Sequence, residues 1–337
     1  MKKFFFSILA VGAIAACTKS EVQYEDAASE IAFAPVASVV TKTANMGAID
    51  GVTYPTNEDF RVWGYWQLLD ADSEPSAFNN ATSYIDNKVF THKDAQTWRG
   101  KDKLYYWPKT GSMVFACLSP ADAPVTDLSH NVVEDNFRFK YAGTNNTAAT
   151  VDIMWSNTTN SFNEKNVAAA GVPVKFNHAL SWLTFKFKGD DVTSHGGFAI
   201  NSLVIDNLYV GGIFNSKTQT WDNFTTGTSM EVFKGTGPMD LTKEFVIFED
   251  VNQGTLVVPQ NNVTTGQGNA YNYTATLKFT NKLGDVHINE TVKLNLGKGW
   301  EIGKHYTYYI TMTASEILIS PEVVDWVEVD PADQFVF

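Results

Sequence analysis

The chain has 337 residues, enough for two domains of ordinary size, and its 44% hydrophobic content is that of a folded globular protein. Aromatic residues reach 13%, a bias that suits pleated sheets better than helices. Lys and Arg number 25 against 37 Asp and Glu, a net charge of −12, and no basic stripe interrupts the acidity. Such a surface repels phosphate backbones and excludes nucleic acid as a partner.

Residues 1–16 read as a signal peptide. Lys2 and Lys3 form a positive start, and Phe4 to Ala16 form an apolar core too short to span a bilayer. The segment ends Ile14-Ala15-Ala16-Cys17, which resembles the bacterial lipobox, and Cys17 is the expected lipidation site. A diacylglycerol there would hold the mature chain on the outer membrane, because several acyl chains anchor stably where one does not. The second cysteine, Cys117, lies within Met113-Val-Phe-Ala-Cys-Leu118 and reads as a small buried hydrophobe. Residues 17–30 are polar and read as a tether.

From Ile31 onward, short apolar or alternating runs are broken by Gly, Asn, Asp and Pro. Expected strands are Ile31–Pro35, Phe60–Leu68, Met113–Leu118, Phe137–Tyr141, Leu183–Lys188 and Ile200–Val210. Later ones are Phe245–Phe248, Thr255–Pro259, Tyr271–Thr280, His287–Leu296, Tyr306–Ala314 and Val323–Val329. Alternation is plain in Leu183-Thr-Phe-Lys-Phe-Lys188. Only Asp122–Val133 and Asn163–Ala170 could hold a helical turn or two. Crossover helices are therefore absent, and the strands must pair mostly antiparallel. The expectation is an all-β chain of two antiparallel β-sandwich domains, residues 31–172 and 173–337, divided near the polar stretch 156–164 and Ala168-Ala-Ala-Gly-Val-Pro173.

No catalytic constellation emerges. The six histidines are scattered, with neither a His-Glu-x-x-His pair nor Cys-x-x-Cys, and no nucleophile elbow, Walker loop or dinucleotide fingerprint occurs. Neighbouring carboxylates such as Glu249-Asp250 would point to opposite faces of a strand. No enzyme, metal or cofactor is expected.

A series of aromatic signatures runs in order along the chain. It comprises Phe60-Arg-Val-Trp-Gly-Tyr65, Tyr105-Tyr-Trp-Pro108, Val114-Phe-Ala-Cys-Leu-Ser-Pro120 and Phe176-Asn-His-Ala-Leu-Ser-Trp-Leu-Thr-Phe-Lys186. Gly212-Ile-Phe-Asn215 with Trp221, Leu256-Val-Val-Pro-Gln260, Trp300-Glu-Ile-Gly-Lys-His-Tyr-Thr-Tyr-Tyr-Ile310 and Val323-Val-Asp-Trp326 complete it. Together these resemble the fimbrillin-like family, subunits of type V pili. The resemblance implies transthyretin-like sandwiches, a place in the fimbrium at the cell surface, and partners that are other pilus subunits and a host or bacterial receptor. It also implies assembly by strand exchange: an N-terminal strand is cut away, and a C-terminal strand from the next subunit fills the groove.

The sequence holds parts that fit this scheme. Ile31–Val40 is an apolar strand placed to act as the removable plug. Family processing follows arginine, yet no arginine precedes Arg61; Lys42 is the only basic residue between Lys19 and Arg61 and becomes the candidate cut site. The alternative is that the strand stays, as in an anchor or a tip. Candidate donor residues are Val323, Val324, Trp326, Val327, Val329, Phe335 and Phe337; the alternative is that this tail packs on its own domain. Stalk and accessory tip both remain open. A competing reading is a surface glycan-binding lipoprotein using Trp66, Trp98 and Trp221 as platforms, and a more distant one is a hydrolase.

Overall fold

The computed structural model describes residues 29–37, 54–94, 97–145, 150–168, 171–189, 199–225, 227–235, 245–247, 255–260, 272–283, 286–313 and 317–325. The first nine strands are β1 Phe33–Ala37, β2 Phe60–Gln67, β3 Thr82–Asp94, β4 Thr97–Gly100, β5 Ser112–Ser119, β6 Val125–Asn131, β7 Asn136–Ala142, β8 Met154–Asn157 and β9 Val172–His178. The rest are β10 Ser181–Gly189, β11 Ala199–Leu208, β12 Gly211–Asn215, β13 Thr220–Asp222, β14 Thr228–Lys234, β15 Phe245–Ile247, β16 Thr255–Val257, β17 Tyr273–Leu283, β18 Val286–Gly297, β19 Lys304–Met312 and β20 Ile317–Asp325. One 3-10 turn, Pro75–Ala77, is the only helical element among the described residues.

The all-β expectation holds. In the N-terminal half a sheet is drawn round into a closed barrel in the order β1-β4-β3-β2-β5-β8-β9. In the C-terminal half, a sheet ordered β15-β10-β19-β20, with β16 also on β10, faces a second ordered β14-β11-β17-β18. Leu183, Phe185 and Phe187 of the first meet Leu203, Ile205, Leu277 and Leu294 of the second in one apolar core, the arrangement of a sandwich. Most ladders are antiparallel as expected, but β1 runs parallel to β9 and β10 parallel to β19.

A third core lies between the halves, and β5 explains why. Its run Met113-Val-Phe-Ala-Cys-Leu118 is buried at every position. Met113, Phe115 and Cys117 point into the barrel, whereas Val114, Ala116 and Leu118 point out of it into a separate cluster. A strand covered on both faces reads as a continuous apolar run. The cover on the outer face is a sheet ordered β13-β12-β7-β6, built from both halves: Phe214 of β12 pairs with Phe139 of β7.

Two expectations meet a different arrangement. The Asp122–Val133 stretch, read as a helical turn, forms β6 instead, paired with β7 through a register shift at Thr126/Ser129. Asp127 there takes φ of 51°, the left-handed conformation that lets a short polar residue kink a strand. The expected division at 172/173 falls on the first two residues of β9. That strand continues to His178 as a barrel stave, with Val172, Val174 and Phe176 inward and Pro173, Lys175 and Asn177 exposed.

Candidate strand-exchange site

The seam of the barrel is the short segment that opens the described chain. Ile31, Phe33 and Pro35 are buried and alternate with the half-buried Ala32 and Ala34. The period of two follows from the pleat, and it turns one residue in two toward the barrel core. Phe33 stands edge-on to three rings there, Phe90 at 5.0 Å, Phe115 at 5.1 Å and Phe60 at 6.0 Å between centroids. Burying side chains such as Ile31 and Phe33 contributes roughly 1.5–3 kcal/mol each.

The hydrogen bonds of this segment are lopsided. Against β9 its register runs from Phe33↔Val172 to Ala37↔Phe176. Against β4 a single register pair is found among the described residues, Phe33↔Trp98. Upstream, Ile31 N–H donates to Tyr105 O at 2.7 Å, Trp107 N–H to Ser29 O at 3.0 Å and Ser29 N–H to a Glu164 carboxylate oxygen at 2.8 Å. The hydrogen bonding from Ser29 holds the Glu164 carboxyl below its ordinary range. Arg99 of β4 pairs with Glu30 at 3.7 Å. The barrel is thus closed by a strand held mainly along one side, in the parallel pairing that is slightly weaker per residue.

One residue that sequence reasoning passed over makes the approach possible. Gly171 has φ of 106°, and a Cβ on it would lie 2.5 Å from Ala32 O. Only glycine lets the chain turn there into β9 while Val172 N–H reaches Ala32 O at 2.8 Å. The signal was a glycine directly before a strand, read only as part of a boundary.

Of the residues singled out at the C-terminal side, Val323 and Val324 lie near the end of β20. Trp326, Val327, Val329, Phe335 and Phe337 lie outside the described residues, as do Cys17 and Lys42. Among the described residues β20 is an edge strand, paired only with β19, from Lys304↔Asp325 to Met312↔Ile317. Ile317 and Ile319 pack on the C-terminal core, while Leu318 and Val323 are each 50% exposed. Lys304 closes the far end through an ion pair with Asp325, and Tyr309 OH donates to Glu322 at 2.7 Å.

The other candidates resolve into packing. Trp98 and Trp221 are buried, and their indole N–H groups donate to Glu58 O at 2.8 Å and Ala179 O at 2.7 Å, so neither is the glycan platform considered from the sequence. Trp66 is half-buried, with its N–H on Thr110 O. Cys117 sits in the barrel core, where burial pushes its thiol well above the ordinary range. Arg61, the first arginine, is spanned by the barrel: it lies in β2 and donates to Ala121 O and Asn87.

A family comparison matches the fimbrillin-like description over residues 56–326. The chain belongs to the fimbrillin-like family. Solved structures share the fold of this fimbrillin-like chain. A fimbrial protein from Bacteroides vulgatus aligns with a TM-score of 0.63 at 16% identity, covering 88% of this chain and 99% of that one. A candidate cell adhesion protein from Bacteroides uniformis gives 0.53 at 15% identity over 88% and 99%. Another, from Bacteroides ovatus, gives 0.52 at 15% over 90% and 100%. No curated protein matches the sequence. As a fimbrillin-like protein the chain is a pilus subunit with a role in adhesion at the cell surface, and its partners are other pilus subunits.

Proposed function

We propose that this pilus subunit polymerises by exchanging the strand at the barrel seam. The chain is exported by residues 1–16, lipidated at Cys17 and tethered to the outer membrane through residues 17–30. Cleavage after Lys42 then frees the segment that ends in β1. Chain beyond β20 of another subunit fills the place between β4 and β9 by β-augmentation, and the fibre built this way presents its tip to a surface receptor. The reading makes the chain a structural component and not an enzyme.

The observation that carries the proposal is the position of β1. It closes the barrel, it comes first among the described strands, and Phe33 brings a large ring into the core from it. Removing such a strand uncovers backbone groups on two edges and an apolar slot, which is a template for another strand. Arg61 is a poor alternative cut site because cleavage there would divide β2 within the barrel.

Trypsin treatment of the lipid-free protein tests this directly. No Lys or Arg follows Lys304, so the enzyme leaves the C-terminal region whole. Mass spectrometry should find a cut at Lys42, and gels and electron microscopy should find ladders and filaments. Protein cut at Lys42 that stays monomeric, with the segment still seated, would sink the proposal.

A further inference from the structure

We infer that the tip of the β6–β7 hairpin holds a divalent cation of the zinc type. His130 Nε2 and the Asp135 carboxylate bind it, and the ion clamps the shared sheet onto the barrel. The site stands apart from strand exchange and uses no residue of the seam.

The hairpin fixes both groups. His130 lies near the end of β6 and pairs with Phe137 of β7, and Asn131 pairs with Asn136. In the turn between them Asn131 Oδ1 accepts from Val133 N–H at 3.0 Å and Glu134 N–H at 3.3 Å. Asp135 then takes φ of 50°, the left-handed conformation that a short polar residue tolerates. Its carboxylate turns back toward His130, with Oδ1 at 3.7 Å from Nε2.

The tautomer of His130 follows from its contacts with the barrel. Tyr65 OH of β2 donates to His130 O at 3.1 Å. A phenol carries one proton, so the second contact, Nδ1 to Tyr65 Oη at 3.1 Å, is a donation by the imidazole. Nε2 therefore presents a lone pair to a carboxylate, which also has only lone pairs to offer. Two such acceptors repel, and a cation between them reverses the sign. Metal-binding histidines are oriented in this manner, the other ring nitrogen giving its proton to an oxygen. Phe137 at 4.7 Å and Tyr65 at 5.4 Å between centroids hold the ring in place.

Distance separates a metal ion from a proton. At 3.7 Å Nε2 and Oδ1 are too far apart for a hydrogen bond. Two ligands on one zinc ion, each at about 2.0–2.2 Å, stand roughly 3.3–3.6 Å apart at a tetrahedral angle. The His130 side chain is 2% exposed and that of Asp135 44%, so an ion reaches the site from the Asp135 side and keeps water there. Nε2 has no hydrogen-bond partner among the described residues, and neither has Asn157 Oδ1. Asn157 belongs to β8 of the barrel, and its Nδ2 donates to Asp135 O at 3.1 Å, which brings its amide oxygen to the same turn as a third donor. Imidazole with oxygen donors suits zinc. No group of three His, Cys, Asp or Glu side chains occurs among the described residues, so the site has two strong ligands. His-x-x-x-x-Asp across a hairpin matches no metal motif, which is why the site does not show in the sequence.

The experiment uses the full chain in a Cys17→Ser background with no added histidines, and zinc chloride as the probe. Imidazole signals are read by nitrogen-15 NMR and stability by thermal unfolding. Before zinc is added the proton of His130 should sit on Nδ1, and on titration the Nε2 signal should move. Zinc at about a hundred times its Kd should raise the melting temperature by roughly 4 °C. Asn suits the same left-handed backbone, so Asp135→Asn keeps the turn; it and His130→Gln should each abolish the rise. Tyr65→Phe keeps the ring but frees the tautomer, and should weaken zinc binding about tenfold. A Nε2 signal that zinc leaves unmoved, or a proton found on Nε2, overturns the site. So does a rise that persists undiminished in His130→Gln. Zinc should also slow amide exchange in β6 and in β2 beneath it, and slowing confined to the turn overturns the clamp.

Discussion

Phe33 and Phe115 meet across the barrel core with ring centroids 5.1 Å apart and planes at 89°, the edge-to-face geometry that aromatic quadrupoles favour. The contact joins the seam strand to β5, which is buried at every position, and with the Phe60 and Phe90 contacts it helps to hold β1 in place. Phe33→Ala should leave a cavity among Phe60, Phe90 and Phe115 and cost about 3–5 kcal/mol. The loss should appear as a lower melting temperature of the uncut protein and as faster release of the segment after tryptic cleavage. An unchanged release rate would mean that backbone pairing with β9, and not the ring, retains the strand.

Gly171 offers a way to disturb the same seam from its other side. A Cβ there would press on Ala32 O at 2.5 Å in a backbone conformation with φ of 106°. Gly171→Ala should cost on the order of 1–3 kcal/mol in strain and push the segment off β9. The Val172 amide, which now donates to Ala32 O, should then exchange with solvent deuterium faster than in the parent. Protection equal to that of the parent would show that the loop yields without moving the strand.

The class of the fold was legible because its physical signals are local. Leu183–Lys188 alternates and became β10, and the run Met113–Leu118 became a strand buried on both faces. Ile31–Pro35 was legible as a strand as well. What it pairs with was not, since the parallel ladder to β9 links residues some 140 positions apart in a way that no periodicity encodes. Long polar strands such as Thr82–Asp94 escaped notice because only Ile85 and Phe90 of β3 are fully buried. The shared sheet of β7 and β12 was hidden for the same reason as the seam: a tertiary pairing chose it, not a pattern within either strand.

His305 of β19 stacks on Trp182 of β10 at 3.9 Å and 9°, with its Nε2 at 2.9 Å from Thr184 Oγ1. Burial, aided by the nearby Lys186 ammonium, lowers its pKa from 6.5 to about 4. The unfolded chain therefore binds a proton between pH 6.5 and 4 that the folded chain refuses. This contribution is intact above pH 6.5 and is lost progressively as the pH falls to about 4, by on the order of 3 kcal/mol. His305→Gln should flatten that part of the stability profile, as read by urea unfolding at a series of pH values. A slope equal to the parent's would assign the acid sensitivity to other groups.

Trp221 tests whether the two halves stand or fall together. It comes from β13 in the C-terminal half, yet its ring lies 5.9 Å from Phe139 and 6.2 Å from Tyr141 of β7 in the N-terminal half. Its N–H donates to Ala179 O, in the link between β9 and β10. Trp221→Ala removes a fully buried indole at the junction and should cost about 3–5 kcal/mol. Because β12 pairs with β7 over Asn215↔Arg138 to Gly211↔Ala142, the damage should not stay in the half that carries the substitution. Hydrogen exchange should quicken in Asn136–Ala142 as much as in Gly211–Asn215, while the barrel strands β2 and β3 change less. Exchange that quickens only after residue 199 would mean that the halves are joined by the chain alone.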